Sequence, residues 1–300
     1  MISLGDKYYI NGHPIAIKRY DCDSHDVAGK PMLPHVNIYV KVSNACNAHC
    51  PFCVNAGCRA DRKEFDISIL TRTVDELMQQ GVAVNRLCIT GGEPSLVPER
   101  VTEILDIFSA SRYSNIHFQL NTNGMTMASH ELMRNPRWHY ITISLHHYDK
   151  KILSELFGIK NEPLGIDLDG VDLKKVNTNC MLIHGYIDSP IEIQKMFDHN
   201  ISLGIPEVGL VSLMKVNDYC KDHFVDFSDI KFSSIPNFYR TRSRNRGEDC
   251  RCANFRYMPE PGKNLSVYMR YYANPNYCES SLMFDGEHLY QGFGKDSIII

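Results

Sequence analysis

The chain has 300 residues, 43% of them hydrophobic, and a formal net charge of -3. That length suits one large domain or one domain with a small appendage, and the near-neutral charge excludes a global pull toward nucleic acid or anionic membrane. With no apolar run long enough to span a bilayer and no signal-peptide core in MISLGDKYYINGHPIAIKRY, a soluble cytoplasmic protein is expected.

Residues 1–34 read as an N-terminal extension, with a candidate hairpin in KYYINGHPIAIKRY. HVNIYVKVSNA then alternates: Val36, Ile38, Val40 and Val42 face one way, Asn37, Tyr39 and Lys41 the other, which is a strand. DISILTRTVDELMQQG is a helix, with Asp66 as N-cap, an apolar stripe of Ile69, Leu70, Val74, Leu77 and Met78, and Gly81 as its stop. RLCIT is the second strand. VPERVTEILDIFSAS is a helix with Pro98 in its first turn and Val101, Ile104, Leu105 and Phe108 on one face. IHFQLNT is the third strand, followed by a short helix near SHELMRN. YITISL is the fourth strand, DKKILSELFG a helix, and VNTNCMLI the fifth strand. DSPIEIQKMFDHNISLG is a helix capped by Ser189 or Asp188 with Pro190 at its start, and EVGLVSL is the sixth strand.

Strand and helix thus alternate about six times between residues 35 and 215, which predicts right-handed βαβ units on a parallel sheet. Six units suit an open, partial barrel better than a closed eightfold one, and ligands of such folds bind at the carboxyl ends of the strands. After Leu213 the sequence turns polar, aromatic and irregular, so a small second domain is expected over 216–300, including a hairpin in SLMFDGEHLYQGF with Asp285-Gly286 at its turn.

Eleven cysteines are many for a reducing compartment, where disulfides are rare, and the count favours metal ligation by the clustered members. Cys88 and Cys180 lie in apolar strands and read as small buried hydrophobes; Cys22 and Cys58 are isolated. The cluster is CNAHCPFC, with Cys46, Cys50 and Cys53 directly after the first strand. A zinc knuckle needs a fourth ligand, with His49 or Cys58 at hand. The alternative is a cubane iron–sulfur cluster on three thiolates, with one iron left open.

CNAHCPFC, with Phe52 as its aromatic residue, resembles the signature of the radical S-adenosylmethionine (SAM) superfamily, and TGGEPSL at the end of the second strand resembles that superfamily's GGE motif. The resemblance covers about residues 35–215. It implies a partial (β/α)6 radical SAM barrel, a [4Fe–4S] cluster on Cys46, Cys50 and Cys53, and SAM on the open iron. Gly91 and Gly92 would let backbone approach a ligand, and Glu93 would add charge or orient the loop. By the same resemblance Phe52, Thr122, Asn123, Ser144, Asn179 and Met214 are candidate SAM contacts, with Thr122 and Asn123 at the same mouth. His146 and His147 are candidates for substrate binding or proton transfer.

Cys220, Cys250, Cys252 and Cys278 resemble the auxiliary-cluster domains of the superfamily, the longer SPASM or the shorter twitch form. No cysteine follows the hairpin, where YQGFGK stands; this departure favours the shorter form, with one auxiliary [4Fe–4S] cluster on Cys250, Cys252 and Cys278 and Cys220 as candidate fourth ligand. Arg240, Arg242, Arg244 and Arg246 form either a solvated loop or a clamp on an anion.

The implied activity is reductive cleavage of SAM to a 5′-deoxyadenosyl radical that abstracts hydrogen from a substrate. The auxiliary cluster would assist oxidation or cyclisation, and a flavodoxin or ferredoxin would donate the electron. A small molecule or nucleotide is the preferred substrate and a ribosomal peptide the second; the first 34 residues are short for a peptide-recognition domain. A non-catalytic zinc or iron–sulfur module is the alternative of another class.

Overall fold

A computed structural model of the chain describes residues 7–17, 34–54, 64–159, 165–241, 252–272, 281–292 and 298–300. The N-terminal hairpin pairs β1 (Lys7–Ile10) with β2 (His13–Ala16). Its turn residues Asn11 and Gly12 both have positive φ, 49° and 79°, which matches the twist of a two-residue hairpin. Ile10 and Ile15 sink into the main core. The backbone amides of Tyr9 and Asn11 donate to Gln80 Oε1 and Glu76 Oε2, docking the hairpin on the first helix of the barrel.

The alternating unit follows in the expected order: β3 (His35–Lys41), α1 (Ile67–Gln79), β4 (Ala83–Thr90), α2 (Pro98–Phe108), β5 (His117–Thr122), α3 (Met127–Met133), β6 (Tyr140–Ser144), α4 (Lys150–Phe157), β7 (Val176–Leu182), α5 (Pro190–Ser202) and β8 (Glu207–Ser212). Local chemistry sets the ends. The Asp66 carboxylate accepts from Ser68 N at 2.9 Å and starts α1; Ser189 Oγ accepts from Glu192 N and starts α5, with Pro190 in the first turn. Gly158 ends α4 in the left-handed region, φ 60°. β3 to β8 are parallel and neighbour one another in chain order.

The remaining elements are α6 (Asp218–Asp222), β9 (Phe238–Arg240), β10 (Ala253–Tyr257), β11 (Leu265–Arg270), β12 (Ser281–Phe284) and β13 (Leu289–Gln291). Their strands extend the same sheet at both edges. β11 lies parallel to β8, and β12 lies parallel to β3, so the parallel run has eight strands where the sequence suggested six. β10 and β9 continue antiparallel on one side and β13 on the other. The hairpin expected around Asp285-Gly286 is β12–β13, with Phe284 opposite Leu289 and Gly286 at φ 101°. Among the described residues, no helix is long and apolar enough to cross a membrane.

The two faces of the sheet differ sharply. Val36, Ile38, Val40 and Val42 of the first barrel strand are 1% exposed or less and pack with Leu70, Val74 and Leu77 of α1 and Val101, Ile104 and Leu105 of α2. Each such side chain stabilises the fold by about 1.5–3 kcal/mol through burial. Parallel strands covered by apolar layers on both faces read as nearly continuous hydrophobic runs. These strands alternate instead, and the inner face is polar. Arg86 Nη1 donates to Gln119 Oε1 at 2.7 Å, and Gln119 Nε2 donates to Asn121 Oδ1 at 2.7 Å and Thr142 Oγ1 at 3.0 Å. Tyr268 Oη donates to Asn179 Oδ1 at 2.8 Å. The barrel therefore has a hydrogen-bonded lumen rather than a second oily core.

Candidate active site

The cysteine loop leaves β3 at the carboxyl end of the sheet and is gripped from four sides. From the loop after β4, Gly92 N donates to Ser43 O at 2.7 Å and Glu93 N to Ala45 O at 2.8 Å. From the loop after β5, Asn123 Nδ2 donates to Asn47 Oδ1 at 2.7 Å. At the end of α4, Phe157 O accepts from His49 N at 2.6 Å. At the start of α6, Asn217 Nδ2 donates to Pro51 O at 2.9 Å.

Gly91 and Gly92 are required by this packing. Gly91 has φ 148°, and a Cβ on it would lie 2.5 Å from Ser43 O; a Cβ on Gly92 would lie 1.9 Å from Ala45 O. The close approach expected of these glycines is thus made to the cysteine loop itself, while Gly91 also borders the cavity described below.

Glu93 is 1% exposed. Its Oε1 accepts from Thr122 Oγ1 at 2.6 Å and Ser95 N at 3.2 Å, and its Oε2 accepts from Asn123 N at 2.8 Å. Burial pushes its pKa up, and these bonds pull it back. Glu93, Thr122 and Asn123 therefore form one knot that joins the loops after β4 and β5 and, through Asn123, the cysteine loop. Thr122 and Asn123 are turned to this knot and do not border the cavity.

The three thiols of the loop are close enough to act on one another. Burial first, then the neighbouring Glu93 and Cys53, pushes Cys46 up to about 11; burial, Cys53 and Cys46 push Cys50 up to about 12. Thiols so placed ionise readily only against a cationic centre. Among the described residues, no group of three or more His, Cys, Asp and Glu side chains is placed to hold a metal ion. These residues do not include Cys58, one of the two candidate fourth ligands of a zinc site. A cubane cluster makes a different demand, because each thiolate takes its own iron, and three soft sulfurs on one short loop fit that donor set.

A cavity of 260 Å³ opens beside the loop at the carboxyl ends of the strands. Tyr39 and Lys41 of β3, Thr90 of β4, Asn121 of β5 and Met181 of β7 line it, with Phe52 of the cysteine loop and Met214 beyond β8. Phe52 and Met214 were expected at such a site. Lys41, Tyr39 and Asn121 were not, although the period-two pattern of β3 had already put Tyr39 and Lys41 on the face opposite the apolar core. A larger groove of 490 Å³ lies at the other end of the strands, near His139 and Lys175; the cysteine loop singles out the smaller cavity.

Other expected residues lie away from this cavity. Ser144 ends β6, half-buried. Asn179 is engaged by Tyr268. His146 and His147 are 4% and 3% exposed, and neither borders the cavity. His146 packs edge-on against Phe52 at 5.1 Å, and its Nδ1 accepts from Met181 N at 3.3 Å. His147 Nδ1 accepts from Asp149 N at 2.9 Å. His146 backs the cysteine loop at Phe52, and His147 packs beside Tyr148. Cys220 is fully buried under that loop, its thiol directed at Phe52 O at 3.7 Å. Cys252 Sγ accepts from Tyr271 N at 3.5 Å. Arg240 is exposed on the edge strand β9. Cys250, Cys278, Arg242, Arg244 and Arg246 lie outside the described residues, as do Cys22 and Cys58.

Burial lowers His146 from 6.5 to about 4. Between these values the unfolded chain holds a proton that the folded one refuses, so stability falls as pH drops from 6.5 toward 4 and levels off below, a total of about 3 kcal/mol. In urea titrations the stability lost between pH 7 and pH 5 is expected to shrink by about 2 kcal/mol in His146→Leu. An unchanged loss would show that this ring titrates normally.

The family model of the radical SAM superfamily matches residues 40–197. The chain belongs to this superfamily, whose members are enzymes that use a [4Fe–4S] cluster and SAM. Among solved structures, a radical SAM methyltransferase from Sphaerobacter thermophilus shares the fold with a TM-score of 0.54 at 16% identity, over 74% of this chain and 66% of that one. Streptococcus suis SuiB bound to S-adenosylmethionine is similar at 20% identity with a TM-score of 0.45, over 64% of this chain and 44% of SuiB, so this chain spans less than half of SuiB's length. No curated protein matches the sequence.

Proposed function

We propose that this chain is a radical SAM enzyme acting on a small molecule or nucleotide, with Cys46, Cys50 and Cys53 holding the catalytic cluster. The cavity carries the reading: it opens at the strand ends and is walled on one side by Phe52 of the cysteine loop and on the other by inner-face residues of the barrel. When bound, the cluster and SAM supply a 5′-deoxyadenosyl radical able to take hydrogen from an unactivated carbon. The protein's part is to hold the loop through the Glu93 knot, orient the substrate against it and exclude water. Gly91, Phe52 and Met214 border the space where SAM and substrate would meet.

A single auxiliary [4Fe–4S] cluster on Cys250, Cys252 and Cys278 completes the reading, aiding oxidation or cyclisation. Cys220 as fourth ligand would have to leave Phe52 O, and its burial there supports the three-thiol version. The reductant would be a flavodoxin or ferredoxin. Anaerobically purified protein is expected to be brown, to hold about eight irons and, with dithionite and SAM, to yield 5′-deoxyadenosine by mass spectrometry. Colourless protein with stoichiometric zinc would overturn the proposal in favour of a metal-binding module, and about four irons would remove the auxiliary cluster alone.

A further inference from the structure

We infer that Asn121 is a specificity-determining residue: it presents an amide N–H donor to the chamber and selects a substrate that offers a carbonyl or carboxylate oxygen there. The inference rests on the reading of the cavity as the reaction chamber and names what its barrel wall takes. Asn121 lies on the inner face of β5, half-buried, and borders the cavity together with Thr90 of β4. The pairing of Ile89 with Leu120 sets Thr90 beside it in register. Phe52 of the cysteine loop walls the other side, so Asn121 and Thr90 stand on the substrate's side of the chamber.

An amide side chain can be turned end for end, and its neighbours decide which end faces a ligand. Here Arg86 decides. A guanidinium has donors only, so Gln119 offers it Oε1, which accepts from Arg86 Nη1 at 2.7 Å. Gln119 Nε2 is then left to donate, and it does so twice, to Asn121 Oδ1 at 2.7 Å and to Thr142 Oγ1 at 3.0 Å. Gln119 lies two residues nearer the amino end of β5, on the same face, and does not border the cavity. Asn121 Oδ1 is thus drawn away from the chamber. Its Nδ2 is left toward the chamber, with no hydrogen bond to another described residue. Arg86 is itself fixed, 4.3 Å over the Tyr140 ring and within reach of the charge of Glu207. The polarity of this wall is therefore set three side chains deep. A half-buried N–H without a partner favours an oxygen acceptor and rejects a donor, because two donors face to face leave both unpaired. The Thr90 hydroxyl can rotate to add a second bond to the same oxygen.

Three planar probes of the same size test this: acetone, an uncharged carbonyl; acetate, a carboxylate; and acetamidinium, whose head carries donors only. Protein is prepared anaerobically with its iron and saturated with SAM. Binding is followed by saturation-transfer NMR on each probe, and the part lost in Asn121→Leu is taken as the chamber's. Acetone or acetate is expected to bind saturably, at least about tenfold tighter than acetamidinium, and which of the two binds better tells carbonyl from carboxylate. Gln119→Glu is expected to invert the preference. Its carboxylate has acceptors only, so Asn121 gives it Nδ2 and turns Oδ1 to the chamber. Acetone then weakens about fivefold or more while acetamidinium tightens. Because acetone is uncharged, its weakening reports the turned amide rather than the added charge. Four results would overturn the inference: no saturable binding of acetone or acetate; acetamidinium matching them in the parent; all three probes weakening together in Gln119→Glu; or probes that bind only when SAM is left out, since SAM would then take the donor itself. A missing 5′-deoxyadenosine product from the same preparation would count against the radical SAM reading and leave the probe preference interpretable.

Discussion

Cys46→Ala protein is expected to yield no 5′-deoxyadenosine above background and to hold about four irons where the parent holds about eight. Cys46 heads the loop; its sulfur accepts from Ala48 N at 3.4 Å and feels the charge of the buried Glu93. Taking away one of three thiolates leaves two, too few to hold a cubane in place. The fold should barely notice, because the side chain is only half-buried and the loop is held by backbone bonds at Gly92, Glu93 and Phe157. Denaturation midpoints of the iron-free proteins should agree within about 1 kcal/mol. Two companions sharpen the reading. Cys88→Ala removes a buried thiol of β4 that lies 3.8 Å from Gln119 Oε1 and should keep both iron and cleavage. Cys252→Ala should lose the other four irons. If cleavage survives in Cys46→Ala, the loop is not the catalytic centre.

Much of this site was legible because its parts are local. The alternation in HVNIYVKV, the cap at Asp66 and the proline starts at Pro98 and Pro190 are short-range signals, and each has its physical counterpart in β3, α1, α2 and α5. Long-range pairing was not legible. LSVYMR alternates as cleanly as any strand of the barrel, with Leu265, Val267 and Met269 buried, yet nothing in its sequence says that its partner is β8 rather than a strand of a separate sheet. The same holds for SLMF beside β3.

Side-chain direction was the second gap. Period two separates two faces without saying which faces water, helices or an enclosed lumen. Lys41 therefore passed as an ordinary polar position. Thr122 and Asn123, at the end of β5, were expected to look into the mouth; the buried carboxylate of Glu93 draws them instead, and a buried carboxylate is costly unless its oxygens are met. His146 and His147 show the converse. Histidine suggests chemistry, but here the rings fill the wall behind Phe52 and beside Tyr148.

Gly92→Ala tests whether that wall of backbone matters as much as the thiols. The added methyl would sit 1.9 Å from Ala45 O, 2.4 Å from Ala45 C and 2.8 Å from Asn44 O. All three are main-chain atoms, so no side chain can swing aside. Either the loop after β4 retreats, breaking the bonds from Gly92 N to Ser43 O and from Glu93 N to Ala45 O, or the cysteine loop shifts. In both cases Glu93 loses its register with Thr122 and Asn123, and the knot that joins three loops comes undone. A loss of about 3 kcal/mol in stability is expected, together with loss of the catalytic cluster's iron and of SAM cleavage. Gly81→Ala is the control. Its φ of 75° strains an alanine, but nothing lies within 4 Å of the new methyl, so about 1 kcal/mol should be lost with iron and cleavage intact. Should Gly92→Ala keep parental stability and iron, the contact between the two loops is looser than this geometry requires, and the glycine would serve the ligand side of the loop alone.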